Sequence, residues 1–192
     1  MTIPDIEEFK QELRTGGARP TLFYIKCGFP GLSTSIVDND AVSESKNAIT
    51  KLSFMARAAS IPEEIISPIN VGYHGRKIKL SGDRTYRDWN INVINNEQYT
   101  IRQGFENWFT DLNHPSINTR VRKFVDPLGY KTDIVIDQLS QNGFTSASYK
   151  LIGAFPIRIG DIKLSWDDQN TIEDYDITFA YDYFVRIPVN IV

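Results

Sequence analysis

Apolar residues recur at every second position from Tyr175 to Val185 within the segment Asp174–Ile187. Tyr175, Ile177, Phe179, Tyr181, Tyr183 and Val185 fall on one side, and Asp176, Thr178, Ala180, Asp182 and Arg186 on the other. A period of two predicts a strand with one buried face. The same period recurs over 86–95, where Trp89, Ile91 and Val93 alternate with Asp88, Asn90 and Asn92. Residues 76–81 form a strand just before it, and Gly82-Asp83 read as a turn, so these two strands are expected to pair. Further strands are expected over 18–29 (after the Pro20 break), 49–58, 130–139, 148–159 (interrupted by Pro156) and 161–166. Pro62 and Pro68 bracket a short extended piece, Glu64–Ser67, and Asn142-Gly143 is a turn signal.

Two segments switch to a helical period. In Asp5–Arg14, Ile6, Phe9 and Leu13 share a face, and Gly16-Gly17 ends the segment. In the second, Ile101, Phe105, Trp108, Phe109 and Leu112 form an apolar stripe suited to core packing. Asn95, with Gln98 three residues on, is the expected N-cap, and Asn113-His114-Pro115 the stop. Residues 30–48 read as a long polar loop, and 116–129 as a mixed segment. No repeat or composition break divides the chain. One domain is expected over 1–192, with a helical arm at 1–17, the loop at 30–48 and a C-terminal extension at 184–192. Many strands without βαβ alternation predict a mainly β fold. It is an antiparallel barrel or sandwich with one packed α-helix, plus the short N-terminal helix.

Composition narrows function mostly by exclusion. The 192 residues carry a formal charge of −3, whereas proteins that grip nucleic acid present a basic surface. Cys27 is the sole cysteine and lies in an apolar run, so it reads as a buried structural thiol and no intrachain disulfide is possible. No apolar stretch approaches the roughly 20 residues of a membrane-spanning helix, and the N-terminus lacks a signal-peptide pattern, so a cytoplasmic site of synthesis is expected. His74 and His114 do not stand at metal-ligand spacing, and the sequence has no nucleophile elbow, P-loop or dinucleotide fingerprint. The adjacent acids Asp167-Asp168 and Glu173-Asp174 suit a solvated turn better than a catalytic pair. No cofactor, metal or catalytic residue is expected, and the chain does not read as an enzyme.

Charge is segregated along the sequence. Residues 73–87 hold Arg76, Lys77, Lys79, Arg84 and Arg87 against Asp83, and residues 161–182 hold seven acids against Lys163. Such blocks suit a head-to-tail contact between copies, which generates rings or filaments. Ordinary solvated strand faces account for the same blocks, and on charge alone that plainer reading is favoured.

The stretch from Pro68 to Trp89 adds a specific pattern. Val71-Gly72-Tyr73 leads into Arg76-Lys77, then Gly82-Asp83-Arg84-Thr85-Tyr86, then Asp88-Trp89. In that order these elements resemble the signature of the tail tube proteins of contractile-tailed bacteriophages. Ala18-Arg19-Pro20 with Leu22-Phe23, Phe105–Trp108, Gly153-Ala154-Phe155-Pro156, and Leu164–Asp167 followed by Ile172–Tyr183 resemble flanking elements of the same family. The 30–48 loop, the 116–129 segment and the tail beyond Phe184 depart from its core.

The resemblance implies a small β-barrel or sandwich with a flanking helix. Six copies would form a ring, and stacked rings a tube that works with tail sheath, baseplate and tape-measure proteins. The tube would be assembled in the host cytoplasm, reside in the virion tail and conduct DNA without sequence-specific contacts. On this reading Arg76, Lys77, Asp83 and Arg84 belong to contacts between subunits or rings, and Asp176 and Asp182 line the channel. Related readings are a baseplate tube initiator and a secretion- or injection-system tube. A monomeric ligand-binding β-sandwich is the reading from another class.

Overall fold

The strand Thr145–Ile159 organises the sheet. The computed structural model describes residues 5–14, 16–28, 30, 51–53 and 55–189. Its elements, in chain order, are α1 (Ile6–Glu12), β1 (Phe23–Cys27), β2 (Ala56–Ala59), β3 (Glu64–Tyr73), β4 (Arg76–Tyr86), β5 (Trp89–Ile94) and α2 (Thr100–Leu112). A 3-10 turn (Arg122–Phe124) and a short helix α3 (Pro127–Tyr130) follow, then β6 (Thr132–Leu139), β7 (Thr145–Ile159), β8 (Asp174–Ala180) and β9 (Tyr183–Ile187). All strand pairs are antiparallel, as expected.

Along one edge of β7 lies β6, which carries β1 on its far side. Along the other edge lie β9, beside Ser148–Ile152, and β8, beside Phe155–Ile159. β5 and then β2 extend the sheet beyond β8. The long strand expected over 174–187 is therefore stepped. Its two halves follow the same edge of β7 and break at Tyr181-Asp182. Opposite the break, Gly153 adopts φ +67° and packs against the Asp182 carboxylate where a Cβ would have to sit. The step reverses the side-chain phase. Tyr175, Ile177 and Phe179 are buried, but beyond the step Phe184 packs inward while Tyr183 and Val185 are exposed. The expected unbroken alternation thus holds only as far as Ala180.

The core forms between the inner face of this sheet and α2. Ile25, Trp89, Ile91, Ile134, Leu151, Tyr175, Ile177 and Phe179 meet Ile101, Phe105 and Trp108. The Phe105 ring stands edge-on to Phe179 with centroids 5.8 Å apart and stacks beside Trp108 at 6.2 Å. Cys27 is buried in this core, and desolvation pushes its thiol up to about 12.

Several local expectations need correction. Asn95 does not cap α2. Its N–H is taken by the Glu173 carbonyl and its side-chain amide by the Glu173 carboxylate, which ties it to β8's approach. The helix starts five residues later, and Asn96 Oδ1 accepts from the Thr100 N–H at 3.0 Å. Residues 51–53 and 55 are helical, so the strand expected over 49–58 is confined to Ala56–Ala59. Pro156 does not interrupt β7. It sits opposite Phe179 beside a register shift, which accommodates a residue lacking a ladder donor. Residues 161–166 form no strand. Tyr183–Ile187 is paired to β7 as a strand, within the span expected to extend to Ile187. The 30–48 loop lies outside the described residues apart from Pro30.

Candidate functional site

Among the described residues β3 and β4 pair with each other and with no other strand. Ten residues of extended chain reach roughly 33 Å. Between Ile66 and Thr85 every residue is exposed except Gly82, which is half-buried. The hairpin therefore projects from the body. The expected pairing of 76–81 with 86–95 is overturned: Gly82-Asp83 is not a turn but a bulge inside β4, at the register shift between Ile66 and Pro68. The turn lies at His74-Gly75, where both residues have positive φ, 42° and 78°, as a tight two-residue hairpin loop demands. Glu64–Ser67, expected as a short piece, is the first part of a strand running to Tyr73.

Register divides the hairpin into two faces. Ile69 opposes Leu80, Val71 opposes Ile78, and Tyr73 opposes Arg76 on one side. Pro68 opposes Ser81, Asn70 opposes Lys79, and Gly72 opposes Lys77 on the other. The first face is apolar and lies open, with its large apolar residues between 44% and 63% exposed. Contiguous apolar surface of this kind marks a place where another molecule packs. At the base, Tyr86 meets the rings of Tyr181 and Phe184 at 5.9 and 5.7 Å. Trp89 Nε1 donates to the Ser60 carbonyl at 2.7 Å.

The four residues expected at subunit contacts are spread along this arm. Arg76 and Lys77 lie at the tip, with no ion pair among the described residues. Asp83 and Arg84 lie at the bulge near the base. Arg84 is paired across the strands with Glu64 at 3.1 Å, and Arg87 with Glu63 at 2.9 Å. The charge reading missed the apolar pairs Ile69–Leu80 and Val71–Ile78. Their signal was the alternation of Ile69, Val71 and Tyr73 with Asn70 and Gly72, and of Ile78 and Leu80 with Lys77 and Lys79.

Asp176 and Asp182 occupy different surroundings. Asp176 is exposed on β8 opposite Asn92, whose side-chain amide donates to it at 2.9 Å. Asp182 sits at the step in the sheet and takes both carboxylate bonds from Lys131 Nζ, at 2.7 and 2.8 Å. The sheet face turned away from the core over β1, β6 and β7 carries matched charge. Lys26 pairs with Asp137 at 2.9 Å and Lys150 with Asp133 at 2.7 Å. Burial favours the neutral form of Asp133, but the Lys150 hydrogen bond, the Gly153 N–H and the Lys150 charge together hold its carboxyl below the ordinary carboxylate range. Asp137 is buried and also accepts from Ser148 Oγ at 2.6 Å.

The described residues contain no helix long and apolar enough to cross a membrane. Residues 18–187 match the family model described as phage tail tube protein. The chain is 28% identical over 168 residues to tail tube protein gp19 of Enterobacteria phage T4, covering 87% of this chain and 90% of the relative. It is 24% identical over 181 residues to the tail tube protein of Serratia phage KSP90, covering 92% and 93%. In fold it resembles a chain in the six-fold symmetrised baseplate of the anti-feeding prophage, with a TM-score of 0.59, 11% identity and full coverage of both chains. The chain belongs to the phage tail tube protein family, and is a structural component of the virion tail, not an enzyme.

Proposed function

We propose that this protein assembles into six-membered rings that stack into the inner tail tube. The tube is wrapped by a sheath, seated on a baseplate, set in length by a tape-measure protein, and conducts DNA during ejection. Its subunits are made and assembled in the host cytoplasm. The observation that carries this reading is the projecting β3–β4 hairpin, whose apolar face the described residues leave uncovered. A solitary monomer gains nothing from holding Ile69, Val71, Ile78 and Leu80 in water. A polymer buries them at each junction, at about 25 cal/mol per Å². Among the described residues β1 and β2 are the outer strands of the sheet, and strand edges of this kind suit pairing with a neighbouring copy.

The polar face of the sheet suits a channel wall. Its lysines are matched with carboxylates, as in Lys26–Asp137 and Lys150–Asp133, so few free cations remain to hold phosphates. Asp176 adds an exposed acid with no ion pair among the described residues, which repels them. Asp182 contributes less, because Lys131 neutralises it.

Sedimentation and negative-stain microscopy of purified protein test the assembly. Wild type is expected to form rings or tubes of defined diameter. Val71→Asp with Ile78→Asp is expected to stay dispersed with its fold intact. A wild type that is monomeric at every concentration, and absent from rings in the virion, refutes the proposal. For the channel, Asp176→Lys is expected to slow ejection from particles with normal tails, and unchanged ejection removes Asp176 from the wall.

A further inference from the structure

Residues 160–173 join β7 to β8 as an acidic loop at the end of the β5–β8 pair where Ile94 opposes Asp174. This end is remote from the hairpin, which enters β5 at Trp89. The loop has no regular secondary structure, and from Asp161 to Ile172 every residue is exposed except Ile162, which packs against the core. Trp166 is fully exposed, and Leu164 and Ile172 are 79% and 73% exposed. The bond from the Asp167 N–H to Ser165 Oγ is local to the loop. Among the described residues, hydrogen bonds to the body are concentrated at its two ends.

One segment holds both ends: residues 95–102, the entry to α2 and its first turn. At the Glu173 end, the Asn95 N–H donates to the Glu173 carbonyl at 2.8 Å. Asn95 Nδ2 and Tyr99 Oη both donate to Glu173 Oε2 at 2.9 Å. At the Gly160 end, Arg102 Nη1 donates to the Gly160 carbonyl at 3.1 Å. The same guanidinium lies 5.2 Å from the centre of the Tyr175 ring, and its Nε donates to Glu106 at 2.9 Å. The Gly160 N–H donates to the Asp176 carbonyl at 2.6 Å, and a Cβ on Gly160 would meet the Asp176 backbone. Tyr99, just before α2, adopts φ 52°, a left-handed conformation unusual for a side chain of its size. The surrounding contacts impose that conformation, and the hydroxyl bond to Glu173 is one of them.

We propose that residues 95–102 form a latch that grips both ends of the 160–173 loop, so that the loop opens as a unit when the start of α2 lifts. Arg102 and Glu173 are its positioning residues. Tyr99 and Arg102 stand one helical turn apart, so a small displacement of that turn breaks both ends together. The core contacts of Phe105 and Trp108 lie further along α2 and survive such a displacement. Each end also protects the other, because opening one while the other stays tied frees little of the chain. The coupling is reciprocal. A contact that draws residues 95–102 off the sheet frees the loop with Leu164, Trp166 and Ile172. A contact that grips the closed loop secures the start of α2. The latch is internal to one chain and does not depend on assembly.

Trypsin cleavage and amide exchange on the full-length, unassembled chain test the latch. Lys163 is the sole lysine or arginine between Gly160 and Glu173, so cleavage after it reports an open loop. Arg102→Met with Glu173→Ala is expected to speed that cleavage roughly tenfold or more, since hydrogen bonds to charged groups are lost at both ends. Arg102→Met alone is expected to speed exchange around Glu173 as well as around Gly160, which a purely local bond would not do. Exchange in β6 stays at the wild-type rate. Asn95 stands opposite Glu173 in continuation of the Ile94–Asp174 register, so Asn95→Cys/Glu173→Cys can close the same end covalently. This chain is expected to be cut fast when reduced and slowly when oxidised, with the buried Cys27 taking no part. Wild-type cleavage in the Arg102→Met/Glu173→Ala chain, faster exchange confined to Gly160 in Arg102→Met, or no slowing on oxidation each overturns the proposal. Faster exchange throughout the sheet also overturns it, because the substitutions then loosen the whole fold.

Discussion

The carbonyl oxygen of Ser67 occupies the place where a Cβ on Gly82 would have to go, and Ile69 Cγ1 lies 3.1 Å from the same point. Gly82 is what allows β4 to bulge beside Ser67 and still resume its ladder with β3. Replacing it with alanine pushes against backbone, which cannot swing aside as a side-chain tip does. The expected cost is about 1–3 kcal/mol, confined to the hairpin. Gly82→Ala should therefore keep the thermal midpoint of the body while the yield of sedimentable polymer falls. A normal polymer yield would show that the bulge does not set the arm's geometry.

Phe105 tests the other half of the molecule. It is fully buried on α2, edge-on to Phe179 and stacked beside Trp108. Phe105→Ala removes a ring from a fully buried site, and should cost about 3–5 kcal/mol in chemical denaturation. The loss should appear in the unassembled protein. A change below about 1 kcal/mol would mean that α2 detaches from the sheet readily.

Glu173 gives a pH dependence of defined sign. Hydrogen bonds from Asn95 and then from Tyr99 hold its carboxyl below its ordinary value of 4.5. A folded-state value below the unfolded one stabilises the protein above pH 4.5, and this is lost as pH falls through the lowered value. Wild type should therefore lose stability relative to Glu173→Gln between pH 4.5 and the lowered value, and the two curves should converge in acid. Parallel curves across that range would show that the Asn95–Glu173 tie carries no linkage. Asp133 shares the sign but is common to both proteins, so it cancels in the difference.

Cys27 should be chemically silent while the protein is folded. It is buried and its thiol is pushed up to about 12, so almost no thiolate exists at neutral pH. A thiol reagent should label it only at the rate of unfolding. Fast labelling of native protein would show that β1 opens from the sheet.

Much of the core was legible because period and burial coincide there. Trp89, Ile91 and Val93 alternate in sequence and are all buried, and the Ile101–Phe105–Trp108 stripe faces the sheet. The hairpin was misread for a physical reason. Gly and Asp at 82–83 are turn residues by conformational preference, but the same freedom serves a bulge, and only the strand opposite decides between them. Asn95 misled in the same way. Its side chain fits a helix cap, yet a carboxylate 78 positions along the chain competes for it and wins. The phase reversal at Asp182 has no local signature either, since it follows from Gly153 on the neighbouring strand.

By itself the sequence determined most of the extended segments, the two segments of helical period, the apolar stripes of β5 and α2 that fill the core, and where basic and acidic residues concentrate. These depend on neighbours two to four positions away, within reach of local sterics and periodicity. The tertiary structure alone decided that the basic segment is a free arm with an apolar face. It also decided that Arg84 and Asp182 are already paired within the chain, and that the acidic loop opens at the far end of the sheet from the arm. Strand partners and ion pairs join positions tens of residues apart, and no local pattern specifies which distant group arrives.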